Sequence, residues 1–412
     1  MVTYSPQVSS LWRNREFSLL WTSQSLSDLG DAIAQLAMPL LVLAVTGSAV
    51  RAGLVGTVAQ VARLLSRLPG GVLADRVNRR RALLTCDAIR LVAFAGLAAA
   101  VATGHTDLLV IVAVAVVDAI CGTMFQTTEL AALRSIVDRS RLPDAVARNE
   151  ARAYGSSLAG PPLGGLLFGL APSLPFIGNA VSYLASLAGI GLIRKPLQGE
   201  PAPHPGGHRA ALVEGVRFVF GNSFLRAVLT ITAPLNLALN GTVFTIIVTL
   251  QRHGVPPGVI GLTETIMAVG GLAGALVAPV LQRSMSFPRL IRYICWAATA
   301  VLAIGSLLTG SLIAAVPLAL AVFFGPACNA ALFGYQAAIT PDHLQGRVLS
   351  VIFMAAMSAS AAAPALAGLI VAHASSTAAM LFFAGSVSVA ALTATFASGI
   401  RTMRPLEEVV AT

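Results

Sequence analysis

Twelve long apolar runs constrain this chain more than any other feature of its sequence. Each run reaches the roughly 20 residues that an α-helix needs to cross the hydrocarbon core of a bilayer. Only 11% of the 412 residues are charged and 56% are hydrophobic, whereas soluble domains carry about 25% charged residues. The sequence therefore predicts an all-α polytopic membrane protein with twelve transmembrane helices. The predicted spans cover residues 17–46, 49–69, 82–103, 107–131, 152–171, 174–193, 225–250, 259–282, 290–309, 311–336, 348–372 and 376–399.

The distribution of Lys and Arg predicts how these spans are oriented. If both termini are cytoplasmic, 21 of the 27 basic residues lie on that side or at its edge, and the outer loops hold only Arg51 and Arg252. By the positive-inside rule, this pattern predicts a multi-pass protein of the cell membrane with both termini in the cytoplasm. The net charge of +10 does not indicate a nucleic-acid partner, because the arginines form no continuous basic face.

The two halves of the chain resemble each other, which indicates a duplicated six-helix unit. The segment 161–166 aligns with 364–369, about 200 residues later. Between the halves, a stretch rich in Pro and Gly is followed by apolar residues at helical spacing, which predicts a short amphipathic helix on the inner leaflet. The predicted domains are an N-terminal bundle at 1–193, a cytoplasmic linker at 194–223 and a C-terminal bundle at 224–412. Together they would form two pseudo-symmetric six-helix bundles.

The loop between the second and third spans combines glycines, one acid and four arginines. This pattern predicts a tight charged turn at the cytoplasmic surface. It also resembles the loop between helices 2 and 3 of the major facilitator superfamily, although Asn78 stands where that family has its second glycine. Asn is among the residues that best tolerate a positive φ, so we expect Asn78 to replace that glycine. The matching residues are Gly71, Asp75, Arg76, Arg80 and Arg81.

The resemblance implies that this loop is a gate. Asp75 would accept hydrogen bonds from the positively polarised start of span 11, near Arg347, while the cytoplasmic side is closed. The alternative is a simple charged turn, in which Asp75 is a surface acid among arginines.

Span 5 contains a second motif, Gly160-Pro161-Pro162-Leu163-Gly164-Gly165. It resembles the Gly-Pro-x-x-Gly-Gly core of the antiporter motif of drug:proton exporters, with Ser156 where that family usually has a further glycine. Prolines bend a helix, and glycines let a neighbouring helix approach closely. An ordinary kinked packing helix is the alternative interpretation. The residues assigned to the motif are Gly160, Pro161, Gly164 and Gly165.

Three further segments narrow the resemblance to one branch of exporters. They are residues 12–17 at the start of span 1, the Gly30-Asp31 pair, and residues 344–348 before span 11. Together they are similar to the twelve-helix branch that contains macrolide efflux pumps and the enterobactin exporter. The resemblance covers nearly the whole chain and is specific for the fold, but it does not identify a substrate.

Polar side chains inside the first and fourth spans are candidates for the transport site. Span 1 places Gln24, Asp28, Asp31 and Gln35 on one face, and span 4 repeats that spacing between Asp118 and Glu129. Charges at this depth normally face a cavity or a partner. A cavity lined by both spans would allow the carboxyls to take up and release protons at physiological pH. The alternative is a structural pair hydrogen-bonded to a neighbouring helix.

Other polar residues inside spans have different predicted roles. Asp87 and Arg90 on span 3 are three residues apart, and we expect them to form an ion pair that positions the gate. The second half offers mostly neutral hydrogen-bonding groups to the central cavity. These cavity candidates are Asn236, Asn240, Glu264, Asn329 and Gln336.

The sequence as a whole predicts a proton-coupled secondary exporter of a small, largely apolar organic compound. No nucleotide-binding loop is present, so ATP hydrolysis is not expected to supply the energy. The expected partners are the substrate, protons and the lipid bilayer, for a monomer without cofactor, metal or nucleic acid. One alternative is an importer of the same fold. A remote one is an intramembrane Mg²⁺-dependent prenyltransferase, for which Asp28 and Asp31 would be the only acidic pair.

Overall fold

The computed structural model describes residues 11–198 and 208–403, except for the side chains of 68–76, 139, 208–212 and 342–343. Regular structure in this part of the chain is entirely helical. Four short 3-10 helices occupy Leu11–Arg13, Arg139–Arg141, Ser306–Leu308 and Leu312–Ala314. The α-helices are α1 (Arg15–Thr46), α2 (Ala49–Arg76), α3 (Arg79–Ala102), α4 (Leu108–Ile136), α5 (Leu142–Leu170), α6 (Leu174–Leu192), α7 (His208–Gly221), α8 (Ser223–Arg252), α9 (Pro257–Ser284), α10 (Phe287–Gly305), α11 (Ala315–Phe323), α12 (Gly325–Ile339), α13 (Asp342–His373), α14 (Ser376–Phe396) and α15 (Ser398–Arg401).

These helices account for all twelve predicted spans. Ten segments of the described chain are long and apolar enough to cross a bilayer. The other two spans are α2 and α5, which have 28 and 29 residues but carry several polar residues towards one end. Span 10 consists of α11 and α12, which are separated at Phe324 just before Pro326. The predicted fold class, an all-α protein with twelve membrane-spanning helices, is confirmed.

The described helices divide into two compact units. Among the described residues, the first contains those up to Ala37 together with 65–198. In it, α3 packs between α4 and α6, and the core includes Phe17, Leu83, Leu133 and Ile190, all at most 1% exposed. This unit contains the polar residues predicted in spans 1 and 4.

Among the described residues, the second unit contains 38–64 as well as 208–403. Its central helix is α8, which packs against α13 and α14. The far end of α1 and the first half of α2 join it through specific contacts. Gln251 on α8 donates a hydrogen bond to the carbonyl oxygen of Leu40 at 3.0 Å, and the backbone N–H of Ala365 donates to Thr57 Oγ1 at 3.0 Å.

Glycines allow α2 and α13 to pack with their backbones in close contact. A Cβ added at Gly53 would lie 2.2 Å from the carbonyl oxygen of Pro364, and one at Gly368 would lie 2.4 Å from that of Ala49. Both distances are far below van der Waals contact, so any larger residue would force the helices apart. Pro364 has no backbone N–H to donate within α13. The N–H of the next residue, Ala365, donates its hydrogen bond to Thr57 Oγ1 on α2.

Some residue types recur about 207 to 209 residues apart in the two halves of the chain. Gly47 and Gly254, which are 207 residues apart, follow α1 and α8 and have φ of 62° and 72°. Such a left-handed residue ends a helix at low cost only when it is glycine. Cys86 and Cys295, and likewise Cys121 and Cys328, are all free and buried.

The turn before α3 differs from the sequence expectation. Asn78 has φ −63° and ψ 111°, and its side chain accepts a hydrogen bond from the N–H of Arg81. Asn78 is therefore a helix N-cap rather than a substitute for glycine at positive φ, so that expectation was wrong. Gly71, Asp75 and Arg76 lie outside the residues whose side chains are described, and the latch stays a prediction.

The described basic residues of the gate motif have local partners. Arg80 donates a hydrogen bond to the carbonyl oxygen of Gly191, and the side chain of Arg81 is exposed. Arg347, near the start of α13, forms an ion pair with Glu214 of the linker helix α7. A Cβ added at Gly215 would lie 2.9 Å from Cβ of Arg347, so α7 rests directly on this part of α13.

Candidate functional site

Arg90 on α3 is the centre of a buried ion network in the first unit. Its Nη2 lies 2.7 Å from Asp31 on α1 and 2.7 Å from Asp118 on α4, while its Nε donates to Asp118 at 2.9 Å. The guanidinium side chain is only 4% exposed. One cation thus bridges two acids from different helices, and this satisfies the requirement that a buried charge be paired.

Arg152 on α5 forms a second bridge of the same design. Its Nε donates to Asp28 on α1 at 2.8 Å, and its Nη1 donates to Glu129 on α4 at 3.0 Å. The Arg152 side chain is 7% exposed and that of Glu129 is 10% exposed. The acids predicted on spans 1 and 4 therefore do converge, but each pair is separated by a guanidinium.

Tyr183 on α6 completes the network around Arg90. Its hydroxyl donates to Asp31 and accepts from the Asn179 side-chain amide at 3.2 Å. The centroid of its ring lies 4.3 Å from Cζ of Arg90, a distance typical of a cation–π contact. Tyr183 is fully buried, so it restricts the positions that Arg90 and Asp31 can adopt.

Asp87 does not pair with Arg90, and the predicted ion pair between them was wrong. Arg90 points to Asp31 and Asp118, whereas Asp87 accepts a hydrogen bond from the hydroxyl of Ser186 on α6. That hydroxyl in turn accepts from Gln24 Nε2 at 2.8 Å. Helical spacing placed Asp87 and Arg90 within reach of each other, but it could not rank the acids on neighbouring helices.

The glycines of the span 5 motif pack against the segment of α1 that follows Asp31. A Cβ added at Gly160 would lie 2.3 Å from Cβ of Ala32, and one at Gly164 would lie 2.6 Å from the carbonyl oxygen of Ile33. Pro161 and Gly165 are also buried. The motif therefore sets the distance between α5 and the part of α1 that carries the site.

The polar residues predicted in the second half do not form a comparable cluster within the described chain. Asn236 and Asn240 donate to carbonyl oxygens one turn earlier on their own helix. Gln336 is buried and donates to Thr340 at 3.2 Å. Glu264 is half-buried and Asn329 is exposed. On α1, Gln35 is exposed and lies outside the network around Arg90 and Arg152.

Four residues of the site are absent from those predicted from the sequence: Arg152, Tyr183, Ser186 and Asn179. Arg152 is the first residue of predicted span 5, and an arginine in a membrane span is itself a signal of a buried partner. The other three are ordinary polar residues of an otherwise apolar helix. Their role depends on which face α6 turns towards α1 and α3, and no signal along one helix specifies that.

Charge is unbalanced in the cluster. The cluster contains two guanidiniums, those of Arg90 and Arg152, and five carboxyl groups. It would carry a net charge of about −3 if every acid were ionised. The five acids are Asp28, Asp31, Asp87, Asp118 and Glu129. Such an excess is costly in a low dielectric and is relieved by protons or by a cation. The acids on α1 are the more accessible ones, with Asp28 28% and Asp31 36% exposed.

Comparison with known proteins identifies the family. Residues 20–364 match the Major Facilitator Superfamily. The chain belongs to the Major Facilitator Superfamily. It is therefore a transporter and not an enzyme, and the prenyltransferase alternative is excluded.

Two groups of relatives in this superfamily align over most of both chains. The multidrug efflux pump Tap of Mycobacterium tuberculosis is 29% identical over 367 residues, which cover 82% of this chain and 83% of Tap. The enterobactin exporter EntS of Salmonella typhi is 25% identical over 356 residues, covering 83% and 82%. The predicted resemblance to the efflux branch of the superfamily is confirmed.

Solved structures of other transporters share the fold. A bacterial homologue of the human lysosomal transporter Spinster, inward-facing and occupied, has a TM-score of 0.71 and 14% identity, covering 96% of this chain and 98% of its own. A bacterial homologue of the iron transporter ferroportin, inward-facing, has a TM-score of 0.67 and 16% identity, covering 98% and 100%. At these identities the likeness establishes the fold alone.

Proposed function

We propose that this superfamily member is a proton-coupled exporter of a small, largely apolar organic compound such as a drug, antibiotic or siderophore. The observation that carries the proposal is the pair of arginine bridges. Asp31 and Asp118 share Arg90, and Asp28 and Glu129 share Arg152. Each bridge ties α1 to α4 through a third helix, and each depends on the ionisation of its acids.

Protonation of Asp31 would open the first bridge. A neutral carboxyl loses its Coulomb attraction to the Arg90 guanidinium, and the remaining hydrogen bond is weaker than a charge-assisted one. The helix α1 is then held less firmly against α3, while Arg90 keeps Asp118. Proton uptake is thereby converted into a change in helix packing, which is what coupling to alternating access requires.

The direction of transport is supported by the relatives, because both named relatives are exporters or efflux pumps. An importer of a small solute with the same fold is the second candidate. In either case we propose a monomer in the cell membrane, with both termini in the cytoplasm and with the substrate, protons and lipid as its only partners. The basic residues at the predicted cytoplasmic ends support this orientation.

Inverted membrane vesicles from a strain without other pumps test both direction and coupling. Respiration acidifies their lumen, and a panel of fluorescent apolar dyes is added outside. We expect at least one dye to accumulate inside and to be released when a protonophore collapses the gradient. Vesicles with Asp107→Asn are the matched control, since Asp107 is an exposed cap outside the site.

Two results would contradict the proposal. Lumen acidification that drives a preloaded dye out of the vesicles would establish import. Accumulation that persists without any proton gradient would remove proton coupling.

A further inference from the structure

Asp87 on α3 is the acid of the cluster that the two arginines do not hold. Its side chain is fully buried. Oδ2 accepts a hydrogen bond from Ser186, whereas Oδ1 has no hydrogen-bond partner among the residues whose side chains are described. The coupling step proposed for Asp31 and Arg90 does not involve the Asp87 carboxyl.

The neighbours of Asp87 fix the direction of its one hydrogen bond. Gln24 Nε2 donates to Ser186 Oγ at 2.8 Å, so the hydroxyl hydrogen of Ser186 is left to point at Asp87. Gln24 and Ser186 are at most 1% exposed. An ionised carboxylate here would therefore receive one neutral hydrogen bond while shielded from bulk solvent, which is a poor environment for a charge.

Of the charged groups around Asp87, Arg90 favours an ionised carboxyl, whereas the neighbouring acids disfavour one. Arg90, one turn further along α3, is already shared by Asp31 and Asp118. The titratable groups that face this region from the other helices are acidic or neutral, and like charges disfavour a further carboxylate. They are Asp31 on α1, Asp118, Cys121 and Glu129 on α4, and Tyr183 on α6.

We propose that Asp87 is a proton-carrying residue of the transport cycle, a neutral acid in this conformation that ionises when Arg90 is released from Asp31. Residues three apart on a helix share a face, so Arg90 can turn to Asp87 without moving α3. In that step the O–H bond of the Asp87 carboxyl breaks, the proton passes to a water molecule of the opened pathway, and the carboxylate pairs with Arg90. Asp31 has by then taken up a proton, so it carries no charge that the Arg90 guanidinium must compensate.

Infrared difference spectroscopy tests the protonation state directly and needs no substrate. The full-length protein is purified into nanodiscs, and its spectrum at neutral pH is compared with that of Asp87→Asn, in which Asn has the shape of a neutral acid. We expect the wild type to show the C=O stretching band of a protonated carboxyl that Asp87→Asn lacks. Asp107→Asn is the control and should leave the band unchanged, because Asp107 is exposed.

A second variant keeps the test decisive if Asp87→Asn does not fold. Ser186→Ala removes the donor to Oδ2 but keeps the acid, so the band should shift in frequency without disappearing. No protonated-carboxyl band in the wild type, or a band that survives unchanged in Asp87→Asn, would overturn the proposal.

The role in the cycle rests on the proposed function, and vesicle transport separates the two. Proton-driven dye uptake should fall to background in Asp87→Asn and remain at the wild-type level in Asp107→Asn. Unchanged proton dependence in Asp87→Asn would overturn the role of Asp87. A wild type without proton-driven uptake would instead count against the proposed function, while the infrared band would still decide the protonation of Asp87.

Discussion

Nη2 of Arg90 lies 2.7 Å from both carboxylate oxygens of Asp31, so a single nitrogen ties α3 to α1. The same guanidinium also holds Asp118 on α4. Two acids that would repel each other are thus held close together by one buried cation. Both the stability of this helix cluster and its response to protons depend on that cation.

Replacing Arg90 with Gln should lower stability and abolish transport. Removal of one partner from a buried ion network leaves uncompensated charge, which typically costs about 3–5 kcal/mol. Thermal unfolding in detergent measures the loss. The matched control is Arg81→Gln, because Arg81 is exposed and its loss should change stability by less than about 0.5 kcal/mol.

A double variant separates lost charge balance from lost shape. Arg90→Gln combined with Asp31→Asn removes one charge of each sign, so it should recover part of the stability that Arg90→Gln loses. No recovery would mean that the guanidinium acts here through packing, and the electrostatic account of the bridge would be wrong.

Asp31→Asn should abolish proton-driven efflux while the protein stays folded. Asn retains the size and hydrogen bonding of the acid but cannot change charge, so Arg90 keeps only Asp118 as an ionised partner. Asp28→Asn should likewise leave Arg152 with only Glu129 as an ionised partner and should also abolish proton-driven efflux. Dye uptake into inverted vesicles measures coupling, and size-exclusion chromatography checks the fold.

Unchanged efflux in both variants would remove α1 from the coupling mechanism. Asp118 would then be the next candidate, followed by Glu129 and Glu264. Of these, Glu264 lies on α9 in the second unit, so proton dependence that survives the other changes, and Asp87→Asn as well, would point away from the first unit.

Gly164→Leu should reduce transport and thermal stability. A Cβ at this position would already lie 2.6 Å from the carbonyl oxygen of Ile33, so α5 must move away from α1 to admit a larger side chain. Gly155→Leu on the same helix is the control, since a Cβ there has nothing within 4 Å. Equal behaviour of the two variants would remove the physical basis of the antiporter-motif assignment.

Gly215→Leu should detach the linker helix α7 from α13. A Cβ at Gly215 would meet Arg347 at 2.9 Å, and the side chains of the Arg347–Glu214 ion pair are 36% and 51% exposed. Such a pair contributes only about 0–1 kcal/mol, so we expect faster proteolysis of the linker with little change in thermal stability. Gly221→Leu, with open space around its Cβ, is the control, and equal proteolysis of both variants would contradict the docking.

The sequence by itself determined the twelve spans, the family and the residues most costly to place in a bilayer. The length of an apolar run is set by the thickness of the membrane, and an ionisable residue inside such a run must be paired. Run length and buried ionisable residues are therefore strong signals that can be read from a local stretch of sequence. Asp28 and Asp31 on one face of α1, with Asp118 and Glu129 on α4, could be identified in this way. The glycines of span 5 could also be assigned as a packing surface, because glycines let a neighbouring helix approach closely.

Only the tertiary structure decided which partner each of these residues has. Asp87 and Arg90 are one turn apart on α3, yet Arg90 binds acids on α1 and α4 while Asp87 faces Ser186 on α6. Arg152 reaches Asp28, which precedes it by 124 residues. Periodicity along one helix gives the face on which a side chain lies, but the distance between side chains on different helices depends on how those helices rotate and cross. That arrangement is fixed by packing across the whole bundle, such as the contact of Gly164 with Ile33, and no single segment of the chain encodes it.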